Sequence, residues 1–586
     1  MHYVLCLLSF LFALSAQGAA APGLIQWQPW SDNLFEQAKR ENKFILLDLE
    51  AVWCHWCHVM DQETYSNPEV AKLIQSRYIP VKVDQDARPD ISRRYEDYGW
   101  PATIVFNADG GEIVKRSGYI PPRSMVAMLK EIIDDPSPII YPDIRILNVK
   151  DFSNQILLGD KLRSELRQRF FMSHDYKFGG FDQQQKFMDR DSVEYAMWLA
   201  KKGDVKAEKM ARQTLDGALN LIDPVWGGAY QYSTNGDWKH AHFEKIMQVQ
   251  AEYMRVYSLA YLHFRDPRYL KAGQEIYRYL KDFLTSPEGA FYTSQDADLI
   301  KGEHGGAYFA LNDAGRRKLG IPAIDKHRYA RENGWAINGL VHLYAASGDR
   351  QYLEHAVKAA NWVMQNRSLP NGGFRHDAVD DAGPYLEDTL AMGRAFISLY
   401  MATADRHWLK HAQQAADFIN QQFKAKAGFA TAAARGVLKP RPTIEENIFT
   451  VRFANLVYQY SGREPYRKTA EHAMRFLATK AIALYRRTEA GILLADNELA
   501  NEPSHITVVG HKDDPQAQAL HRSALTYPSV YRRIEWWDTR EGKMPNPDVE
   551  YPELPTAAAF VCSNKRCSLP LFKPDEIALA ADRLDR

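Results

Sequence analysis

The chain has 586 residues, too many for one hydrophobic core, and its composition (46% hydrophobic, 25% charged) is that of ordinary globular protein, so several packed domains are expected. Its 73 basic and 73 acidic residues cancel at pH 7, which leaves a broad electrostatic surface for nucleic acid without support.

Residues 3–16 form an uncharged apolar run, followed by Gln17-Gly18-Ala19-Ala20-Ala21-Pro22. Such a run is short for a bilayer span and suits a signal peptide over residues 1–21. The n-region offers His2 and no Lys or Arg, so an uncleaved anchor stays as the alternative. The chain is expected to be exported and extracytoplasmic (periplasmic in a bacterium), with no stable membrane insertion after cleavage. Of five cysteines, Cys6 leaves with the leader. Four remain as close pairs, Cys54/Cys57 and Cys562/Cys567, read first as disulfides in an oxidising compartment.

Residues 22–133 alternate helix and strand. Residues 32–42 read as an amphipathic helix and Phe44-Ile45-Leu46-Leu47-Asp48-Leu49 as a buried strand. The cysteine turn and a helix to Gln62 come next. A second helix opens at Ser66-Asn67-Pro68-Glu69, with a capping residue before proline. Residues 78–84 form another strand, 103–107 and 112–116 a hairpin across Asp109-Gly110, and 124–133 a closing helix. Residues 134–143 read as a linker.

From 144 to 500 the pattern is helical and repetitive. An apolar helix ends in a small residue plus Asp and the next begins with an aromatic, as in Gly348-Asp349-Arg350-Gln351-Tyr352-Leu353. Between pairs, Gly precedes an aromatic, as in Gly179-Gly180-Phe181 and Gly372-Gly373-Phe374. Helix pairs cannot bury their apolar faces alone, so they stack as a solenoid or close into a ring with a loop-built mouth. Residues 501–586 mix strand and helix and read as a small α/β appendage.

Trp53-Cys54-His55-Trp56-Cys57 follows the buried strand and opens a helix. There the unsatisfied N–H groups favour a thiolate on Cys54, lowering its pKa from about 8.5 into a range of about 3.5–7.5. Cys57 lies one turn inward, placed to resolve a disulfide. His55 adds charge beside the thiolate when protonated, and Asp48 on the buried strand is placed to relay protons to the inner thiol. Trp100-Pro101-Ala102-Thr103 resembles the cis-proline loop of thioredoxins. Three other readings stay open: haem c on Cys-x-x-Cys-His, copper on His55, His58 and the thiols, and an inert disulfide clip. The leading expectation has no metal or cofactor.

Trp53-Cys54-His55-Trp56-Cys57-His58-Val59-Met60, Arg88-Pro89-Asp90, Gly99-Trp100-Pro101, His242-Phe243-Glu244-Lys245, Asp296-Ala297-Asp298 and Tyr385-Leu386-Glu387-Asp388 together resemble the spermatogenesis-associated protein 20 family. The resemblance implies a thioredoxin-like domain fused to a six-hairpin, glycosidase-like (α/α)6 toroid. In the toroid, His240, His242 and Glu244 on one loop, Asp296, Asp298 and Glu303 on another, and Glu387 with Asp388 at a helix start are candidate sugar-site groups, with Trp226 and Trp238 as stacking platforms. Acids at helix starts also have a plain capping explanation. Cys562/Cys567 are expected to form a structural disulfide.

These readings lead to a thiol–disulfide oxidoreductase with Cys54, Cys57, Asp48, Pro101 and His55 at its centre. Its expected partners are a redox protein or thiol client, with a glycan or glycoprotein as a further client. The rival readings are a carbohydrate-binding or carbohydrate-processing toroid with an accessory thioredoxin-like unit, and a non-enzymatic scaffold or metal-binding module.

Overall fold

The computed structural model describes residues 23–139, 141, 149–380, 382–433, 436–563 and 566–584. The expected leader, Cys6 and part of the linker lie outside these. Among the described residues no helix is long and apolar enough to cross a membrane.

The N-terminal domain opens with α1 (Leu34–Glu41) and β1 (Phe44–Glu50). It continues through α2 (His55–Met60), α3 (Pro68–Arg77), β2 (Tyr78–Asp84), β3 (Ala102–Phe106), β4 (Glu112–Ser117) and α4 (Pro122–Asp134). Asn67 caps α3 through its side chain, as the Asn-Pro-Glu sequence requires. The sheet order is β2-β1-β3-β4, with β1 parallel to β2 and antiparallel to β3. β1 is buried along its length because helices cover both faces: α3 and α4 on one, α1 on the other. Its register sets Asp48 between Lys82 and Thr103.

The helical region is a closed ring. Its inner helices are α6 (Arg190–Lys201), α8 (Met247–Phe264), α10 (Ala330–Ser347), α12 (Leu386–Thr403), α14 (Ile444–Ser461) and α16 (Ala490–Ala500). Each packs on the next, and α16 returns to α6. That closure decides between ring and solenoid. The outer helices are α5 (Asp160–Met172), α7 (Val205–Ala218), α9 (Pro267–Phe283), α11 (Arg350–Arg367), α13 (Arg406–Gln422) and α15 (Glu464–Leu477).

Both sequence repeats now have a physical cause. The small-residue-plus-Asp turn joins inner to outer helix: Gly348 and Gly462 sit in the left-handed conformation that ends the inner helix, and Asp204, Asp266, Asp349 and Asp405 cap the outer one. The Gly-aromatic turns are joints between neighbours. At Gly179 (φ 79°) a Cβ would fall 2.6 Å from the Gln213 carbonyl of α7, and Gly227 (φ 74°) abuts Glu275 of α9 in the same way.

The ring is no tunnel. Arg255 pairs with Glu194 and Glu252, and Arg452 reaches Glu194 at 2.8 Å and Glu498 at 2.9 Å, with Arg255 and the three carboxylates buried between the inner helices and Arg452 partly so.

The appendage is a second sheet of β5 (Ser504–Val509), β6 (Arg532–Trp537), β7 (Ala558–Ser563) and β8 (Arg566–Cys567), with α17 (Pro515–Leu525) and α18 (Pro574–Leu584). Its order, β6-β5-β7-β8, and its strand directions repeat those of the N-terminal sheet. Cys562 and Cys567 face each other across β7 and β8 and are disulfide-bonded. The two sheets flank opposite ends of the ring. His521, Lys512 and Tyr460 join the appendage to the C-terminal ends of inner helices, whereas the N-terminal domain sits on their N-terminal ends.

Candidate redox site

β1 delivers the chain to Ala51, and Cys54 becomes the N-cap of α2, its Sγ accepting the Cys57 N–H at 3.2 Å. Cys54 and Cys57 are disulfide-bonded with Cα atoms 5.3 Å apart. The same N–H that meets Sγ here favours a Cys54 thiolate once the bond opens. The Trp100–Pro101 peptide is cis, and Trp100 packs with Trp53 (6.2 Å between rings) in one cluster with both cysteines.

Asp48 is 2% exposed and lies six residues before Cys54. Burial pushes its pKa up to about 7, against the pull of the Lys82 ammonium 3.4 Å away. Its Oδ1 has no hydrogen-bond partner. A carboxyl that titrates near neutrality on the strand beneath the cysteines suits a proton acceptor for the inner thiol. With its folded pKa above the ordinary carboxylate value, Asp48 takes stability away as pH rises from about 4 to about 7. Asp48→Asn is therefore expected to slow thiol exchange about ten- to a hundredfold while leaving the melting temperature at pH 7.5 unchanged or higher. Exchange kinetics and calorimetry on the same sample check this.

The ring covers this helix. His55 Nδ1 lies 2.8 and 3.0 Å from the Asp298 oxygens, and His58 Nδ1 lies 3.2 Å from the same carboxylate. His58 Nε2 is 3.7 Å from Asp296, the Ala297 N–H reaches the Trp53 carbonyl at 3.4 Å, and Gln62 Nε2 donates to the Lys301 carbonyl at 2.5 Å. Burial alone would raise Asp298, but bonds from His55 and His58 outweigh it and hold its pKa at about 2. Burial opposes charge on His58, and the two aspartates overcome it and raise its pKa. Asp296, with less compensation for burial, is pushed up to about 6. His58, Asp296 and Asp298 bring their donor atoms within 4.8 Å of one another, a set of a kind that can hold a cation, here already engaged in ion pairs.

The sign of this linkage is fixed by the shifts. The His58 contribution is complete below about pH 6.5 and is lost as pH rises through its raised value; that of Asp298 is present above about pH 4 and is lost as pH falls towards 2. Asp298→Asn is expected to cost about 2 kcal/mol and to remove the loss of stability above pH 6.5. Denaturant midpoints measured across pH test it.

A second set of contacts lies round the mouth. Arg93, on the loop after β2, donates twice to Glu387 (2.6 and 2.7 Å) and reaches Glu96 at 3.1 Å and Glu445 at 3.3 Å. Trp53 Nε1 donates to Asp86 at 2.8 Å, and Arg331 of α10 approaches the same carboxylate at 3.4 Å. His376 bridges the Asp388 carboxylate (2.8 Å) and the Asp86 carbonyl (2.7 Å). Glu387 and Asp388, read from the sequence as sugar-site groups, thus face the N-terminal domain. Arg93, Asp86, Arg331 and His376 are functional neighbours that sequence reasoning missed. Only Arg331 carried a signal, a charge in the first turn of an inner helix.

The other toroid candidates separate. Trp226 is buried in the wall, its Nε1 donating to Asp313 at 2.7 Å, and Trp238 donates to the Phe178 carbonyl at 2.7 Å. His242 stacks on Tyr232; burial, then the charges of His304 and His55, lower its pKa to about 4. His240 and Glu303 are exposed. Glu244 alone of the group joins the redox site: it accepts from the backbone of His55, its Oε2 is buried without a partner, and burial raises its pKa to about 7. Glu244 and Cys54 line one cavity of about 860 Å³ between the domain and the ring mouth, walled also by Trp56, Tyr98, Tyr119 and Asp191.

Parts of the chain are similar to known proteins. A family profile described as Thioredox_DsbH, protein of unknown function, matches residues 16–135. Spermatogenesis-associated protein 20 of Mus musculus is 28% identical over 307 residues, 47% of this chain and 39% of that protein. The chain thus spans about two-fifths of the curated relative it matches. Thioredoxin of Mycoplasmoides gallisepticum is 32% identical over 97 residues, 16% of this chain and 90% of that protein. A sugar epimerase from a ruminal bacterium superposes with a TM-score of 0.42 at 17% identity, over 54% of this chain and 86% of that one. The chain is similar to spermatogenesis-associated protein 20 over about half of its own length and carries a thioredoxin-like domain, here seated on the mouth of a closed (α/α)6 ring.

Proposed function

We propose that the protein is an exported thiol–disulfide oxidoreductase in which Cys54 attacks, Cys57 resolves and the ring selects the client. The carrying observation is that the Cys54–Cys57 disulfide lies at the start of a helix, packed with Trp53 and Trp100, and opens on a cleft between the domain and the ring rather than on flat surface. Cys54 is 4% exposed, so a client's sulfur reaches Sγ on a small molecule or a flexible chain. Exchange then runs in two displacements. In the reduced protein the Cys54 thiolate attacks a disulfide R–S–S–R, forming Cys54–S–S–R and releasing RS⁻. Asp48 takes the Cys57 proton, and the Cys57 thiolate attacks Cys54 Sγ, releasing the second RS⁻ and closing the Cys54–Cys57 bond.

The engagement of Glu387, Asp296 and Asp298 with the thioredoxin-like domain, and of Asp388 through His376, supports reading the ring as its holder and gate. Turnover of hydroxyethyl disulfide with dithiothreitol tests the proposal. Catalysis by the intact chain and its loss in Cys54→Ser support it; equal rates in the two contradict it.

A further inference from the structure

We infer that the cavity between Cys54 and the ring mouth takes a cationic thiol or disulfide: a small aminothiol, or a flexible chain with an ammonium or guanidinium near its sulfur. This deepens the oxidoreductase reading and rests on it.

The wall carries eight carboxyl side chains against two guanidinium groups, and no lysine lines it. Both cations are already committed. Arg190 reaches Glu445 at 2.6 Å; Arg486 reaches Glu96 at 2.6 Å, Asp97 at 2.9 Å and Glu489 at 3.1 Å. Two wall donors, Arg190 Nε and Trp100 Nε1, have no acceptor, but each wall guanidinium is already neutralised by a carboxylate, so a client's carboxylate would meet a net-negative wall. Two carboxyls have an oxygen that takes no hydrogen bond. Glu244 is 3% exposed with Oε2 unpartnered, and Asp191 is 8% exposed with Oδ1 held only by looser ion pairs, 3.8 Å from Arg452 and 3.9 Å from Arg190.

Helix starts account for the presence of acids such as Asp191 and Glu445, but not for buried oxygens left without a donor, which cost free energy until one arrives. Glu244 has no such origin, lying in the link between two short strands ahead of α8. A protonated amine supplies both the charge and the donors. The wall near Cys54 adds π faces: Trp56 is 41% exposed, and its ring lies 5.9 Å from that of Tyr119. An ammonium group sits favourably over such faces. Burial raises the pKa of Glu244 to about 7 and of Asp191 to about 6. A bound cation would draw both towards the charged form.

The test uses the full chain, reduced with dithiothreitol and freed of it, mixed with cystamine (dicationic), hydroxyethyl disulfide (neutral) or dithiodiglycolate (dianionic). Each second-order rate constant is divided by that of the same disulfide with dithiothreitol in solution, because the leaving thiols differ in acidity. Cystamine is expected to exceed the neutral disulfide at least tenfold, with dithiodiglycolate slowest. The gap should narrow in 1 M salt and in Asp191→Asn or Glu244→Gln. The salt series needs no variant, so a misfolded substitution does not decide the outcome. Equal normalised rates for the three overturn the inference and leave the oxidoreductase reading standing. Failure of all three to oxidise the dithiol overturns both.

Discussion

Cys57→Ser is expected to accumulate a stable mixed disulfide through Cys54, whereas Cys54→Ser loses exchange about a thousandfold or more. The asymmetry follows from position. Cys54 caps α2 and lines the cavity, where a client's sulfur can approach. Cys57 lies one turn further in, 2% exposed, and is placed to attack Cys54 Sγ rather than a client. Without Cys57 the second displacement has no nucleophile and the client stays attached. Intact-mass spectrometry after incubation with cystamine reads the adduct directly. Equal adducts on both variants would contradict the assignment of attacking and resolving sulfur.

The second large effect is expected at the docking contact. Arg93→Ala should destabilise the assembly by about 3–5 kcal/mol, the cost of leaving buried carboxylates without their partner. The Arg93 guanidinium is 11% exposed and answers Glu387 (4%), Glu96 and Glu445 together. Arg93→Lys should recover only part of the loss, because an ammonium cannot reproduce the double contact to Glu387. Calorimetry is expected to show the single transition of the intact chain splitting, with the thioredoxin-like domain released first. Iodoacetamide should then alkylate reduced Cys54 faster than in the parent chain, since the covering ring has moved away. A variant that keeps one transition and the parent alkylation rate would show that Arg93 does not hold the two together.

The redox turn was legible because its signals are local. A buried strand, Trp-Cys-x-x-Cys, a helix and a later Trp-Pro-Ala-Thr lie within about sixty residues, and their order favours one fold although the cysteine turn by itself has several readings. The helix pairs were legible for the same reason: capping aspartates recur at four of the turns, and left-handed glycines at several of them. Whether those pairs close was not written locally, since closure depends on α16 meeting α6 across about three hundred residues. The roles of Asp296, Asp298, Glu387 and Asp388 were hidden differently. Acids at loop and helix starts look alike whether they meet a sugar, a helix dipole or another domain. Only the approach of His55, His58, Arg93 and the Asp86 carbonyl distinguishes these cases here. The repeat of the N-terminal sheet order in the appendage carries no sequence mark, because β5 leads into Gly510-His511-Lys512 with no cysteine.

Equilibrating the full chain with dithiothreitol buffers of stepped potential, then trapping free thiols for mass spectrometry, tests the central claim most directly. One reversible two-electron transition is expected at Cys54–Cys57, separate from the opening of Cys562–Cys567. A Cys54–Cys57 pair that stays closed or open across the whole range would contradict it.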